Sequence, residues 1–158
     1  MKKFILLLLF FVSLNSNAQC EFNLDELLSL MVSNSSDYET KILTKGYEYD
    51  SETDTYFCDL YKNPFGLTKR FQSGKFYGFL YTTYSKENYL DIKKRIVEMK
   101  FTFSEKIPIK STEGLLYIAN NIRVTLFTET IELKPNYNIL IQVDLLDTKY
   151  KNLPLTAV

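Results

Sequence analysis

A pattern that occurs twice, 54 residues apart, constrains the fold of this chain more than any other feature. In each copy, an amphipathic helical segment runs into residues that alternate between apolar and polar. A period near 3.6 residues followed by a period of two predicts a helix followed by a strand. We therefore expect two consecutive units of similar architecture. The matching pairs are Asp37 with Asp91, Tyr38 with Ile92, Lys41 with Arg95, Ile42 with Ile96, Leu43 with Val97, Tyr47 with Phe101, and Tyr49 with Phe103.

Capping residues mark where the predicted helices begin. Asn23 followed by Glu26 opens a short helix at 24–33, and Ser36 with Glu39 forms a second capping box. Gly46 stands where a C-terminal glycine cap would end this second helix. A third helix follows Ser85, with an apolar face formed by Tyr89, Ile92, Ile96 and Met99.

Strands are predicted between turn signals. Asn63-Pro64-Phe65-Gly66 and Lys134-Pro135-Asn136 read as turns, because Pro and Gly interrupt regular structure. The predicted strands include Tyr47 with Tyr49, and the segments 56–61, 67–72, 76–84, 113–119, 122–131 and 137–145.

Two successive helix-plus-four-strand units predict an α+β fold, with one antiparallel sheet and helices on one face. We assign residues 19–158 to a single domain, with units at about 24–84 and 85–146 and a short tail at 147–158. The arrangement resembles the β-lactamase-inhibitor-like architecture of small secreted bacterial proteins. The segment Lys45-Gly46-Tyr47-Glu48-Tyr49 also resembles exported proteins of flavobacteria. These resemblances imply an architecture and do not imply inhibition of a β-lactamase, because one fold serves many functions.

The N-terminus has the form of a secretory signal peptide over residues 1–18. A basic start precedes nine apolar residues, Phe4 to Val12, which are too few to span a bilayer. Ser16 and Ala18 are small residues at the positions that signal peptidase reads. We expect an exported protein, periplasmic or secreted, without a transmembrane span in the mature chain.

The two cysteines, Cys20 and Cys58, have alternative fates. In an oxidising compartment an even count favours a disulfide. Cys20 lies just after the predicted cut, which makes a lipid anchor the competing interpretation; Gln19 departs from the Gly, Ala or Ser expected before a lipidated cysteine. Two free, buried thiols are a third possibility. We expect the Cys20–Cys58 disulfide.

Composition excludes several classes of function. There is no histidine and no glycine-rich phosphate loop, which removes His-dependent catalysis and most catalytic zinc sites. No basic excess supports nucleic-acid binding. We therefore predict no catalytic residues, no metal and no cofactor. The acidic segment Asp50 to Asp54 lacks the glycine of a calcium loop and is interpreted as a solvated hairpin turn, with a weak surface calcium site as the alternative.

Twelve Tyr and twelve Phe give a heavy aromatic load that suits a sheet. Along 76–84, alternation sends Phe76 and Leu80 to one face and Tyr77, Phe79 and Tyr81 to the other. Core packing is one interpretation of these rings. The sharper one places Tyr77, Phe79 and Tyr81 on an exposed binding face.

Two functions follow as hypotheses. The first is a non-enzymatic binding module of the cell envelope, with a protein or an envelope polymer as partner. The alternative is a hydrolase that uses a pair of carboxylates. Exposed aromatics would favour the binding module, and acids converging in a pocket would favour the hydrolase. Lys93-Lys94-Arg95, with Lys86 and Lys100, give the third helix one basic face, which is either a solvated face or a contact for anionic polymer or lipid headgroups.

Overall fold

The computed structural model describes residues 20–60, 63–73 and 75–144. The predicted signal peptide and the predicted tail at 147–158 lie outside these residues. The helices are α1 (Leu24–Val32), α2 (Ser35–Thr44) and α3 (Lys86–Glu98). The strands are β1 (Glu48–Asp50), β2 (Thr55–Leu60), β3 (Asn63–Thr68), β4 (Phe71–Ser73), β5 (Phe76–Thr83), β6 (Thr102–Ile109), β7 (Thr112–Ala119), β8 (Ile122–Ile131) and β9 (Lys134–Asp144).

All the described strands form one antiparallel sheet in the order β1-β2-β3-β5-β9-β8-β7-β6, with β4 paired to β5. This order is symmetric about the contact between β5 and β9. Moving outward, β3, β2 and β1 follow β5 on one side, and β8, β7 and β6 follow β9 on the other. Each half is a meander that follows a helix, α2 in the first half and α3 in the second. The predicted α+β class with an antiparallel sheet is confirmed. A true sequence duplication stays a prediction.

The helix starts follow from side-chain caps. At α1, Asn23 and Glu26 form the predicted capping box. Helix α2 begins at Ser35, because the Asn34 side chain accepts a hydrogen bond from the Asp37 N–H at 2.8 Å. The predicted capping box of Ser36 with Glu39 is therefore wrong. At α3, the Ser85 hydroxyl caps as predicted.

The two helices that open the meanders end alike. Gly46 has φ +85° after α2, and Lys100 has φ +61° at the matching place after α3. Glycine adopts this left-handed conformation freely, whereas a lysine does so at a cost of about 1 kcal/mol or more. The backbone requirement is shared even where the residue type differs.

Two predicted turns lie inside strands. Asn63 and Pro64 pair with Leu60 and Asp59 in β3, and Pro135 pairs with Thr130 in β9. Proline is tolerated where a strand has a neighbour on only one side. This holds at both sites, because β3 pairs with β5 only through Gly66 and Leu67, and β9 pairs with β5 only from Tyr137 onward. The turn between β8 and β9 is Glu132-Leu133 instead.

The main core lies between the helices and one face of the sheet. Ile42 of α2 and Ile96 of α3 are both 0% exposed, and both helices pack on this same face. Arg70, between β3 and β4, is also buried here. Its guanidinium donates to the carbonyls of Ser33 and Asn34 at 2.7 and 3.1 Å and lies 4.2 Å from the Tyr38 ring. It thereby ties the end of α1 to the sheet.

Candidate functional site

The three predicted binding residues lie in the core. Tyr77, Phe79 and Tyr81 are 1%, 0% and 0% exposed. The helices cover this face of β5 and leave the face with Phe76 and Leu80 open. The predicted exposed aromatic face is therefore wrong. Tyr117, on the same face, is buried as well.

Hydrogen bonds inside the core explain why tyrosines can occupy it. The Tyr81 hydroxyl accepts from the Phe22 N–H at 3.3 Å and lies 3.1 Å from Asn88 Oδ1, to which it donates. The Asn88 side chain donates in turn to the Phe22 carbonyl at 3.0 Å. A buried hydroxyl with partners avoids the cost of an unmade hydrogen bond. Burial raises the pKa of the Tyr81 phenol.

The Cys20–Cys58 disulfide is confirmed. Both cysteines are buried, and the Tyr47 hydroxyl donates to the Cys20 carbonyl at 2.6 Å. The bridge fixes the start of the described chain to β2. A disulfide is typical of proteins in oxidising compartments, outside the cytoplasm. No helix within the described ranges is long and apolar enough to cross a bilayer.

The opposite face of the sheet, called the open face here, carries none of the described helices. It still contains buried side chains, because Gly78 and Gly114 let neighbouring strands and side chains approach closely. A Cβ on Gly78 would lie 2.2 Å from the Ile141 carbonyl oxygen. Thr125 is 1% exposed, and the Thr82 hydroxyl donates to Asn138 Oδ1 at 2.8 Å. Open-face residues include Phe76, Gly78, Leu80, Thr82, Leu116, Ile118, Arg123, Thr125, Phe127, Asn138, Leu140 and Gln142.

A hollow of about 270 Å³ lies at one end of the open face. We call it the Arg123 hollow. The Arg123 guanidinium, on β8, lies 4.4 Å from the centre of the Phe76 ring of β5, with β9 between the two strands. The turn between β7 and β8 forms the rim, and the Asn121 carbonyl accepts from the Asp144 N–H at 3.1 Å. The other lining residues are Lys75, Glu105, Leu116, Ile118 and Asn120.

Two donors in the lining of this hollow are buried without a hydrogen-bond partner. They are Arg123 Nε and Asn121 Nδ2. An unsatisfied buried donor costs about 1–3 kcal/mol, and such groups are few in native proteins. Both atoms have almost no solvent-accessible surface, so a ligand oxygen in the hollow would reach them only after neighbouring side chains move aside.

The charges around the hollow are mixed. Lys75 Nζ lies 2.9 Å from Asp144 Oδ2, and Glu105 supplies a second carboxylate. Arg123 forms no ion pair within the described part of the chain. Nor does any group of three or more potential metal ligands occur among the residues that the structure describes. The hollow therefore offers donors and acceptors together rather than a purely cationic surface.

A second, larger hollow of about 570 Å³ lies between α1 and α3, and we call it the α1–α3 cleft. Carboxylates do converge here, but cations pair with three of them. Arg95 binds Asp25 through two hydrogen bonds at 2.9 and 3.2 Å, and it reaches Glu98 at 3.3 Å. Lys45 bridges to Glu26 at 2.8 Å. The Arg95 hydrogen bond lowers the pKa of the Asp25 carboxyl, whereas a general acid needs a raised one.

The acidic segment at 50–54 is the hairpin turn that the sequence predicts. Asp50 accepts hydrogen bonds from the Glu52 N–H and the Thr53 hydroxyl, both at 2.9 Å. Asp54 binds the Tyr49 hydroxyl and pairs with Lys69 at 3.3 Å. These internal partners account for both carboxylates without a calcium ion.

Sequence reasoning missed Arg123 and Asn121. A signal was present: Arg123 is a lone cation between Ile122 and Val124 in a predicted strand, so alternation places it on the face opposite its neighbours. The contact of Arg123 with Phe76, two strands away, could be predicted only from the order of strands in the sheet. Comparisons with protein-family models, with curated proteins and with solved structures found no match for this chain.

Proposed function

We propose that this protein is an exported, non-enzymatic binding module that holds a carboxylated sugar of a cell-envelope polymer in the Arg123 hollow. The observation that carries this proposal is the pair of buried, unpartnered donors, Arg123 Nε and Asn121 Nδ2. Export is supported by the signal-like N-terminus and by the Cys20–Cys58 disulfide.

The donor and acceptor pattern selects the ligand class. Two N–H donors beside one hollow suit the two oxygens of a carboxylate, and the arginine fork favours this planar geometry. Glu105 and Asp144 would repel a small, highly charged anion such as phosphate, but they can accept hydrogen bonds from sugar hydroxyls. A uronic acid carries both groups on one ring.

The size of the hollow agrees with a single ring. Its volume of about 270 Å³ lies just below the range of about 300–1,000 Å³ for pockets that enclose drug-sized ligands. One sugar residue of a chain would enter, and the rest of the polymer would lie along the open face. Affinity for one such residue is expected to be weak and to rise with the number of modules engaged.

The test uses oligogalacturonate, with its methyl ester as the uncharged counterpart. NMR titration of the folded chain should shift the Arg123 Nε–H and Asn121 side-chain signals with the acid, and about tenfold less strongly with the ester. Arg123→Lys keeps the charge but loses the planar fork, so it should also weaken binding. Equal binding of acid and ester, or shifts confined to other surfaces, would contradict the proposal.

A carboxylate-dependent hydrolase is the second candidate, favoured by the acids that line the α1–α3 cleft. Glu21 and Asp91 are the members of this set without an ion-pair partner in the described chain. Release of reducing ends from an envelope polymer, lost in Asp91→Asn and retained in Arg123→Lys, would support the hydrolase over the binding module.

A further inference from the structure

The exposed half of α3 is divided into two flanks of opposite charge. Lys86, Leu90, Lys93 and Val97 follow one line along the helix at spacings of four, three and four. Lys100 follows the helix end, whereas Lys94 lines the α1–α3 cleft together with the acids. The acids Glu87, Asp91 and Glu98 occupy the other flank, next to Arg95 and the α1–α3 cleft.

The cations on the lysine flank are available for a partner. Lys86, Lys93 and Lys100 form no ion pair with any described residue, whereas Lys94 pairs with Glu98 at 3.8 Å. Three positive charges without an ion-pair partner therefore lie along about 20 Å of a chain whose formal net charge is zero. Segregation of this kind produces a local positive potential that total composition conceals.

Two apolar side chains of α3 are exposed among these lysines, and a third follows Lys100 by three residues. Leu90 is 48% exposed and Val97 is 62% exposed. Phe103, at the start of the edge strand β6, is 50% exposed and packs edge-on against Tyr117 at 5.7 Å. The acidic flank of the same helix carries polar residues at its exposed positions, whereas this flank also carries apolar ones. A purely solvated face does not require these three side chains.

We propose that this flank of α3 docks on an anionic lipid bilayer. The lysines would contact the headgroups, while Leu90, Val97 and Phe103 would enter the boundary between headgroups and acyl chains. Charge complementarity and the interleaved apolar residues together select this occupant. A soluble anionic polymer would bind the lysines equally well but offers nothing to the apolar side chains.

The flank and the Arg123 hollow lie on different faces of the molecule. Helix α3 covers the core side of the sheet, and Arg123 opens on the other side. Docking through α3 would therefore leave the hollow directed away from the lipid surface. The two interactions are independent, and each can be disrupted alone.

Vesicle co-sedimentation tests this inference. The folded chain should bind phosphatidylglycerol-containing vesicles more tightly than phosphatidylcholine vesicles. In Lys86→Gln with Lys93→Gln, binding should fall about 25-fold, since each lysine contributes about a factor of five. Glu87→Gln with Asp91→Asn is the matched control on the acidic flank and should not weaken binding. All variants are compared in the same chain, so any contribution of the N-terminal apolar segment cancels.

The apolar residues separate the lipid surface from a soluble polymer. Leu90→Ser with Val97→Ser should weaken vesicle binding several-fold and leave binding of dextran sulfate unchanged. Circular dichroism should show that these surface variants remain folded. Equal binding to both kinds of vesicle would overturn the inference. A lysine-dependent interaction with dextran sulfate, without preference for anionic vesicles, would assign the flank to a polymer instead.

Discussion

The two faces of the sheet are formed by alternate residues of the same strands, and they differ in how their buried polar groups are satisfied. The helix-covered face holds large rings whose hydroxyl groups are hydrogen-bonded within the core, such as Tyr81 to Asn88. The open face mixes apolar side chains, such as Leu116 and Phe127, with glycines, threonines and asparagines, and its buried donors at Arg123 and Asn121 remain unpartnered. The first face is complete in the isolated chain. The second is completed by a ligand in our account.

This difference shows that aromatic content alone does not identify a binding surface. Tyr77, Phe79 and Tyr81 share the face that receives the helices, so their area stabilises the fold. On the open face, the ring of Phe76 lies 4.4 Å from the Arg123 guanidinium and supports it. In our proposal, side chains on one side of β5 stabilise the fold and those on the other side contribute to recognition.

The largest expected effect compares neighbouring residues on the two faces. Phe79→Ala should lower the free energy of unfolding by about 3–5 kcal/mol, because it leaves a cavity in the main core. Leu80→Ala, on the half-buried side, should cost less than half as much. Urea denaturation measures both. Equal losses would show that the two faces do not differ in packing.

The disulfide belongs to the helix-covered face and should have an effect of similar size. It closes a loop with a sequence separation of 38 residues, for which chain entropy predicts about 4 kcal/mol. Cys20→Ser combined with Cys58→Ser should lower stability by about that amount, and dithiothreitol should reproduce the loss in the parent chain. A lipid on Cys20, or stability that reductant does not change, would contradict the bridge.

Two glycines in strands test how closely neighbouring strands approach each other on the open face. Gly78→Ala should destabilise by about 1–3 kcal/mol, because its Cβ would lie 2.2 Å from the Ile141 carbonyl oxygen. Gly66→Ala is the matched control, since its nearest neighbour, Thr82 Cβ, would lie at 3.7 Å. We expect it to be neutral or stabilising by about 0.5–1 kcal/mol. Similar melting temperatures for the two variants would rule out the close approach of β5 and β9.

Alkaline pH should act on the helix-covered face. Burial raises the pKa of Tyr38, Tyr47 and Tyr81 above the ordinary value of 10.0, and that of Tyr56 to about 12. Above pH 10 the unfolded chain therefore releases phenolic protons that the folded chain retains. Stability is complete below pH 10 and falls as the pH rises through 10 to 12 and beyond. Phenolate absorbance and circular dichroism should change together; phenolate formation in a chain that stays folded would be the contrary result.

Much of the fold could be predicted from the sequence. The helix period, the capping residues Asn23 and Ser85, and the paired cysteines identified local structure and one long-range bond correctly. The two turns predicted at prolines were wrong, because a proline is also allowed inside a strand where that strand lacks a neighbour on one side. The order of strands in the sheet decides which positions lack a neighbour. Pro64 and Pro135 both occupy such places.

The candidate site was harder to predict, because it also depends on the order of the strands and on which face the helices cover. Alternation assigns residues of β5 to two faces but does not say which face the helices will cover. The hydroxyl groups of Tyr77 and Tyr81 favoured the prediction of an exposed position. Hydrogen-bond partners within the chain allow such hydroxyl groups to be buried. The Arg123 hollow depends on Phe76, Arg123 and Asn121 meeting across three strands, which no local pattern records.

The most direct test of the central claim is the substitution Arg123→Lys, measured for stability and for binding of oligogalacturonate. The account predicts no loss in the free energy of unfolding, because the residue lies outside the main core and the substitution removes the unpartnered Nε donor. It also predicts binding about tenfold weaker, because the guanidinium fork is lost. A large loss of stability, or unchanged binding, would contradict the claim that the open face serves recognition.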